Sequence, residues 1–416
     1  SDVCSSDLRN SNWMLVAFGM VGTSLSGVTF VSVPGNVGDI NFNYFQLVIG
    51  YVLGYAVVAF ILLPLYYKMN LTSIYTYLEN RFGVNAHKAG AFFFILSRTV
   101  GATARLYLVI NILQLFILDK LGIPFLATAI VILTLILLYT FEGGVRTIIF
   151  TDTLQTSGML IGLVVCLVVL VKALGTDGWG AWQLIQQKGY NQVINLDINS
   201  PFNFWKQLLG GMFITITMTG LDQEMMQKNI SVPTRRDSQK NVLVLSVVLV
   251  LVVSLFLFLG ALLHLYAQQV GLHARGDRLF PAVVMQTLPA WMQLVFIVAL
   301  ISALFPSADG ALTALTSSTC VDLLKLPQRS ELSASQQAEI RRRVHLGFAV
   351  LFLGLVLAFR AVDDPSMIGL LLKIAGYTYG PLLGLFVFSM TTSRRVRETA
   401  VPWVAVCAPL LCADRK

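Results

Sequence analysis

The chain has 416 residues, of which 56% are hydrophobic and 12% charged, and its formal net charge is +8. Soluble domains carry about 25% charged residues, so this composition excludes an ordinary soluble protein. The apolar residues form long segments, and about 20 consecutive apolar residues can span a bilayer as a helix. Because the bilayer core offers no partners to backbone polar groups, helices are the expected spanning elements. We therefore predict an all-α integral membrane protein.

The two ends do not follow this pattern. SDVCSSDL at the start and CADRK at the end are polar beside apolar segments, and both are similar to translated sequencing adapters. We expect residues 1–8 to be a non-native end and the chain to be truncated on both sides. An unusual native tail is the alternative.

The apolar segments predict ten membrane spans and part of an eleventh that starts near residue 400. In chain order the spans lie near 13–35, 44–67, 88–118, 124–141, 147–173, 204–226, 240–269, 291–321, 344–360 and 366–390. With this layout, seventeen Lys and Arg residues fall on the side of Arg9 and seven on the other. The positive-inside rule then places Arg9 in the cytoplasm. The positive net charge follows from this orientation and needs no nucleic-acid partner.

A long polar segment divides the spans into two groups of five. We predict a first five-helix repeat at 13–173, an extracellular connection at 174–203 and a second repeat at 204–390, followed by a cytoplasmic loop and truncated helix at 391–416. Groups with an odd number of spans enter the membrane from opposite sides, which is the arrangement of an inverted repeat. In such folds the first helix of each repeat is broken near the middle of the membrane.

The first helix of each predicted repeat contains residues that weaken a helix. GTSLSGVTF at 22–30 combines glycines with hydroxyl side chains, and MFITITMTGLDQEMMQ occupies the matching place in the second repeat. We expect both segments to unwind and to present backbone groups to a ligand.

Four motifs in these and later segments identify a family. GTSLSGVTFVSVPG, EGGVRTIIFTDTLQ, GLDQEMMQKN and ALFPSADGALTALTSSTCVDLL resemble the sodium:solute symporter family in order and spacing, over about residues 13–390. Its members include sodium-coupled transporters of sugars, proline, sialic acid and monocarboxylates. The resemblance implies the five-plus-five inverted repeat of the leucine-transporter fold, with broken first and sixth core helices. It also implies a multi-pass protein of the cell inner membrane or plasma membrane.

The resemblance further implies a sodium site between the first and eighth core helices. Backbone carbonyls and hydroxyls suit this hard cation without burying a formal charge. The matching positions are Gly22, Leu25, Ala303, Pro306 and Ser307. Relatives commonly carry a hydroxyl where this chain has Pro306, and the proline frees the carbonyl of Ser302, which we expect to replace the missing ligand. The alternative is a simple kink with a weaker or absent sodium site.

Asp152 and Asp309 are the candidates for a second cation or a proton. A carboxylate within a membrane span is costly and is a functional candidate by default. The resemblance places Asp152 at such a site, and relatives usually show a small hydroxyl where this chain has Asp309. The alternative for Asp152 is a carboxylate at the start of a helix, stabilised by the helix dipole.

The resemblance implies a solute pocket formed by the broken helices and the tenth helix. The matching residues are Ser24, Thr29, Thr215, Met218 and Lys373. Lys373 would suit a carboxylate-bearing solute, although so long a side chain can also extend to the interface. Arg98 and Arg105, on one face of the third span, either pair with acids or face a water-filled cavity.

We therefore predict a sodium-coupled secondary active symporter that imports a small organic solute by alternating access, with sodium as the coupling ion. The alternatives are a proton-coupled symporter and a transporter-like sensor core that has lost a signalling domain. The four histidines are scattered and no phosphate-binding loop is present, so we do not expect an enzyme. Solute and bilayer are the expected partners, and the sequence does not indicate the oligomeric state.

Overall fold

The computed structural model describes residues 13–69, 73–142, 145–362, 364, 366–394 and 396–413. The predicted non-native end at 1–8 lies outside the described residues, as do Gly143 and Gly144 of the EGGVRTIIF motif. The helices of the first half are α1 (Trp13–Ser24), α2 (Gly27–Gly35), α3 (Val37–Ile40), α4 (Tyr44–Val57), α5 (Leu63–Met69), α6 (Thr76–Phe82), α7 (Val84–Leu113), α8 (Phe125–Glu142) and α9 (Val145–Ala173).

The second half continues the helical pattern. Its helices are α10 (Gly178–Gln187), α11 (Phe204–Thr215), α12 (Gln223–Ile230), α13 (Arg235–Gln269), α14 (Leu279–Thr287), α15 (Ala290–Ser318), α16 (Ala334–Val362), α17 (Met367–Thr391) and α18 (Val401–Ala413). A helix or a broken pair of helices therefore occupies each predicted span. Within the described residues, seven helical segments are long and apolar enough to cross a membrane, and α1 with α2 forms an eighth, bent span.

The first core helix is broken as the glycines and hydroxyl residues predict. α1 ends at Ser24, α2 begins at Gly27, and the two helices differ in direction by 54°. Ser26 between them is extended, with φ −105° and ψ 174°. Gly27 packs directly against the side chain of Val109, where a Cβ atom would overlap the valine methyl group. The break therefore lies against α7, in the interior of the protein.

The sixth core helix is broken in a different way. α11 continues into a π-helical turn at Ile216–Gly220, and the chain leaves the helix at Leu221 and Asp222 before α12 begins. Asp222 is extended, with φ −94° and ψ 122°. Both breaks thus form where the sequence predicts them, and the prediction of broken first and sixth core helices is confirmed.

Small residues bring the broken helices close to their neighbours. α4 and α11 touch through Gly50 and Gly211, and added Cβ atoms there would overlap the facing backbone. α1 packs against α9, α13 and α15. Such close approach of helix backbones is how membrane helices gain van der Waals contact. Phe30 of α2 is fixed in an aromatic cluster with Phe256, Phe280 and Phe296, at centroid distances of 5.7, 5.2 and 5.9 Å.

Candidate functional site

Both helix breaks open onto one cavity of about 140 Å³. This is smaller than the roughly 300–1,000 Å³ of pockets for drug-sized ligands, so it is suited to a small solute. The structure places four of the five predicted solute residues in its wall: Ser24, Thr29, Thr215 and Met218. Two come from the first break and two from the second.

The structure does not bring the fifth predicted residue, Lys373, to the cavity. Leu372 and Ile374 on either side of it line the cavity, whereas Lys373 itself is exposed. Consecutive residues of an α-helix point about 100° apart, so Lys373 lies on a different side of α17 from the residues that line the cavity. The basic residues in the wall are instead Arg98 and Arg105 of α7.

Three tyrosines of α4 add hydroxyl groups to the wall. Tyr55 lies in the wall together with Ser24 of the first break and Thr219 of the second. The hydroxyls of Tyr44 and Tyr51 lie 3.2 Å apart. The cavity therefore combines apolar surface with several hydrogen-bonding groups and the guanidinium groups of Arg98 and Arg105.

Two further tyrosines satisfy the backbone of the second break. The hydroxyl of Tyr66 donates to the carbonyl of Gly220 at 2.8 Å, and that of Tyr75 donates to the carbonyl of Leu221 at 3.1 Å. The Asp222 side chain caps α12 by accepting from the Met225 N–H at 3.1 Å. These bonds supply the partners that an unwound segment loses when it leaves the helix.

The predicted sodium residues are all buried, and they lie on helices that contact one another. Gly22 of α1 packs directly on Thr156 of α9, and α1 also contacts α15, which carries Ala303, Pro306 and Ser307. The Ser307 hydroxyl donates to the carbonyl of Leu304 at 2.9 Å and keeps its oxygen as an acceptor. Leu25, the other residue predicted from the first core helix, lies in the break between α1 and α2 and lines the cavity.

Beside this region Asp152 of α9 forms a buried ion pair. Its Oδ2 accepts from Lys228 Nζ at 2.9 Å, and both residues are under 5% exposed. Lys228 also donates to Thr23 Oγ1 at 2.8 Å and to Glu224 Oε1 at 3.2 Å. Asp152 lies about two turns beyond the start of α9, where a helix dipole has little effect. The helix-start alternative therefore does not describe this carboxylate.

Arg98 extends the same network on its other side. Its guanidinium contacts Glu224 and lies 3.7 Å from Asp222. Arg98 therefore pairs with acids and also lines the cavity. Arg105 lies about two turns further along α7 on the same face. It is in the cavity wall and is only partly buried.

Asp309 of α15 is fully buried next to this network. It interacts electrostatically with Asp152 and Lys228, and its Oδ1 accepts from the Gly310 N–H. Its Oδ2 has no hydrogen-bond partner among the described residues. The two carboxylates predicted for a second cation or proton are thus brought into one neighbourhood.

Sequence reasoning missed part of this network. Lys228, just after the sixth predicted span, was one of the seventeen basic residues counted on the cytoplasmic side of the membrane, but the structure buries it among oxygen atoms. Asp222, Glu224 and Lys228 all lie within the GLDQEMMQKN motif. Three charged residues in seven positions of an otherwise apolar region were the signal that could have identified them, because charges within a membrane need partners.

At the end of α2 that leads away from the break, Asp277 connects three segments. Its Oδ2 accepts from the Met367 N–H at the start of α17 at 2.7 Å, and the preceding residue, Gly276, packs directly against Gly35 of α2. Burial raises the pKa of this carboxyl to about 6, while the nearby Ser32 hydroxyl and the Met367 N–H oppose the shift. Gly276 and Asp277 thus connect the outer half of the first broken helix to α17.

Comparison with known proteins agrees with this architecture. A sialic acid symporter solved in its substrate-bound outward-open state superposes with a TM-score of 0.83 at 21% identity, covering 98% of this chain and 84% of that one. The sodium/sialic acid symporter SiaT of Proteus mirabilis is 24% identical over 94% of this chain and 80% of its own length. The sodium-dependent multivitamin transporter of Oryctolagus cuniculus is 27% identical over 92% of this chain.

The fold and the paired helix breaks define a multi-pass membrane protein of the leucine-transporter architecture. A family model described as the sodium:solute symporter family matches residues 8–402. The chain belongs to the sodium:solute symporter family. This is a family of transporters, which agrees with the prediction that the chain is not an enzyme. The chain spans 60% of the length of the multivitamin transporter that it matches.

Proposed function

We propose that the protein is a sodium-coupled symporter that imports a small organic solute by alternating access. The observation that carries this proposal is that both helix breaks open onto one small cavity lined by apolar and hydrogen-bonding groups, and that α1, which forms part of its wall, packs against α9 and α15. A ligand in this cavity contacts both repeats of the five-plus-five fold, at 13–173 and 204–390. A solute and an ion bound at the two breaks therefore favour one arrangement of the repeats over another, which is the basis of coupling.

Sodium would bind between α1 and α15. Carbonyls of Gly22 and Leu25 face the hydroxyl and carbonyl groups of the Ala303–Ser307 turn in this proposal. Pro306 lacks an N–H, so the carbonyl of Ser302 is free to act as a ligand. Membership in a sodium:solute symporter family supports sodium as the coupling ion.

The solute we propose is a small organic anion. Arg105 lines the cavity, and Arg98 beside it is already engaged by Glu224 and Asp222. A guanidinium group that faces a cavity favours carboxylates because it can donate two parallel hydrogen bonds. A relative named for the transport of sialic acid, which is an acid, supports this class. Arg105 replaces Lys373 in this part of the proposal, since Lys373 lies outside the cavity.

Uptake into proteoliposomes tests the proposal. A labelled panel of sialic acid, short monocarboxylates, hexoses and proline would be supplied with and without an inward sodium gradient. We expect sodium-driven accumulation of an anionic compound, and we expect Ser307→Ala to lose most of its sodium dependence.

Ser254→Ala is the matched control for that substitution. Ser254 lies on α13, outside the cavity wall, and its hydroxyl donates to the carbonyl of Val250 at 2.7 Å, as Ser307 does to Leu304. We expect this variant to transport as the wild type does. Equal sodium dependence in Ser307→Ala and the wild type would contradict the assigned sodium site.

Proton coupling is a second candidate, and Asp309 favours it. A fully buried carboxylate with an unpartnered oxygen is stable only with a bound proton or cation. In this case uptake follows an inward proton gradient without sodium, and Asp309→Asn abolishes that dependence. Uptake that requires sodium and ignores the proton gradient rejects this candidate.

A further inference from the structure

The buried network around Lys228 holds more negative than positive charge. Its members are all under 5% exposed and comprise the carboxylates Asp152, Asp222, Glu224 and Asp309 and the basic residues Arg98 and Lys228. Charges buried away from water are stable only when paired with an opposite charge or a bound ion. The position of each positive charge therefore decides which carboxylates remain available to a transported cation.

The Lys228 ammonium group is fully coordinated by oxygen atoms. An ammonium has three N–H donors, and these point to Thr23 Oγ1, Asp152 Oδ2 and Glu224 Oε1 at 2.8, 2.9 and 3.2 Å. The three oxygens come from α1, α9 and α12. This is an all-oxygen, anion-rich environment of the kind that a monovalent metal cation also requires.

A sodium ion at Asp152 would compete with this ammonium group. Lys228 is bonded to Oδ2, while Oδ1 of the same carboxylate has no hydrogen-bond partner among the described residues. A sodium ion at Oδ1 would place a second positive charge beside the ammonium group in a buried region of low dielectric constant, where the two repel each other. Lys228 reaches the site on its own side chain from α12 and cannot leave with the solute. Asp152 is thus neutralised by a cation that belongs to the protein.

We propose that Lys228 is a resident cation that takes the place of a coupling ion at Asp152. The proposal rests on the sodium-coupled function given above and specifies its stoichiometry: one fewer sodium ion is bound than if Asp152 were free. Sodium then binds at the α1–α15 site and not at Asp152.

Binding of radioactive sodium to the purified protein in detergent tests this proposal directly. We expect Lys228→Gln to bind one more sodium ion per chain than the wild type, because the vacated Asp152 oxygens accept it. The additional ion should disappear when Asp152→Asn is combined with Lys228→Gln. Lys228→Arg keeps the positive charge and should bind the same number as the wild type.

Lys325→Gln is the control for the loss of a lysine. Lys325 pairs with Glu79 at 3.4 Å at a partly exposed position. We expect this variant to bind as many sodium ions as the wild type.

Asp152→Asn alone provides a test that does not depend on the folding of Lys228→Gln. If Lys228 already neutralises Asp152, this variant binds as much sodium as the wild type. Loss of one sodium ion in Asp152→Asn, or no gain in a folded Lys228→Gln, would overturn the proposal.

The outcomes also separate this proposal from the proposed function. No bound sodium in the wild type and in Lys325→Gln rejects sodium coupling at the α1–α15 site. In that case a gain of one ion in Lys228→Gln still supports the role of Lys228, and no gain rejects both proposals.

Discussion

The two helix breaks differ in how their backbone groups are satisfied. At the second break, the carbonyls of Gly220 and Leu221 accept hydrogen bonds from Tyr66 and Tyr75, and Asp222 caps the following helix. At the first break, Ser26 begins α2 without a side-chain cap bond. The second break is thus closed by the protein itself, whereas the first keeps polar groups available for a ligand. Equivalent positions in two repeats can therefore have different tasks.

The largest expected effect comes from removing the hydroxyls that close the second break. Tyr66→Phe and Tyr75→Phe each leave a buried carbonyl without its partner, which costs about 1–3 kcal/mol. We expect a clear fall in Tm for each variant in detergent. Tyr190→Phe is the control, because the Tyr190 hydroxyl bonds the side chain of Gln268 at a partly buried site. Tm values equal to that of the control would show that the second break does not depend on these bonds.

At the first break, the close contact of α1 with α9 is the next test. Gly22→Ala places a Cβ atom against Thr156 Oγ1, which is itself bonded to the Asp152 carbonyl at 2.6 Å. Overpacking of this kind costs about 1–3 kcal/mol. Gly347→Ala on α16, where a Cβ atom meets nothing within 4 Å, is the control. Combining Gly22→Ala with Thr156→Ala should restore most of the lost Tm, and no recovery would contradict the assigned contact.

Asp277, beside the outer half of the first broken helix, should make the stability of the protein depend on pH. The pKa of Asp277 is about 6 in the folded protein and near 3.8 in an unfolded chain, so the folded state holds this proton to higher pH. Its contribution to stability is complete below about pH 4 and is lost as the pH rises through 6. We expect Asp277→Asn, which keeps the acceptor for the Met367 N–H, to flatten the dependence of Tm on pH between 4 and 7. An unchanged pH profile in this variant would reject the assignment.

The smallest expected effect on stability is that of Ser26→Ala. Because Ser26 makes no cap bond, we expect the free energy of unfolding to change by no more than about 0.5 kcal/mol and Tm to stay close to that of the wild type. Ser26 lines the cavity, so we expect solute uptake to weaken in the same variant. A large fall in Tm with unchanged uptake would show that Ser26 stabilises the fold and does not bind the solute, which would contradict the role proposed for the first break.

Periodicity and composition were sufficient to predict the membrane-spanning helices and the positions of both breaks, but not the short helices α3, α6, α10 and α14. The glycines and hydroxyls at 22–30 weaken a helix locally, and no distant contact is needed to see this. The tyrosine bonds to Gly220 and Leu221 could not be predicted, because 154 and 146 residues separate the partners. The Lys228–Asp152 pair spans 76 residues. Counting basic residues at the ends of spans cannot separate such a pair from an interfacial charge.

The sequence also could not predict how each helix is rotated about its axis, and therefore which of its residues line the cavity. Lys373 has the charge that a solute pocket for anions needs, yet Leu372 and Ile374 occupy the wall and Lys373 is exposed. Arg105 provides a cationic group in the wall instead. The residue type was predicted, but its position depends on how α7 and α17 are rotated about their axes, which packing determines.

The tyrosine bonds of the second break also bear on the order of synthesis. Chains are made from the N-terminus, so Tyr66 and Tyr75 are already present when the segment around Gly220 and Leu221 is inserted. The second break can therefore form at once with its carbonyls satisfied. The first break lacks its partners when it is made, because α9 and α15, against which α1 packs, are synthesised later. α1 and α2 must accordingly enter the bilayer before these partners exist, and their final bent arrangement forms only after α15 has been inserted.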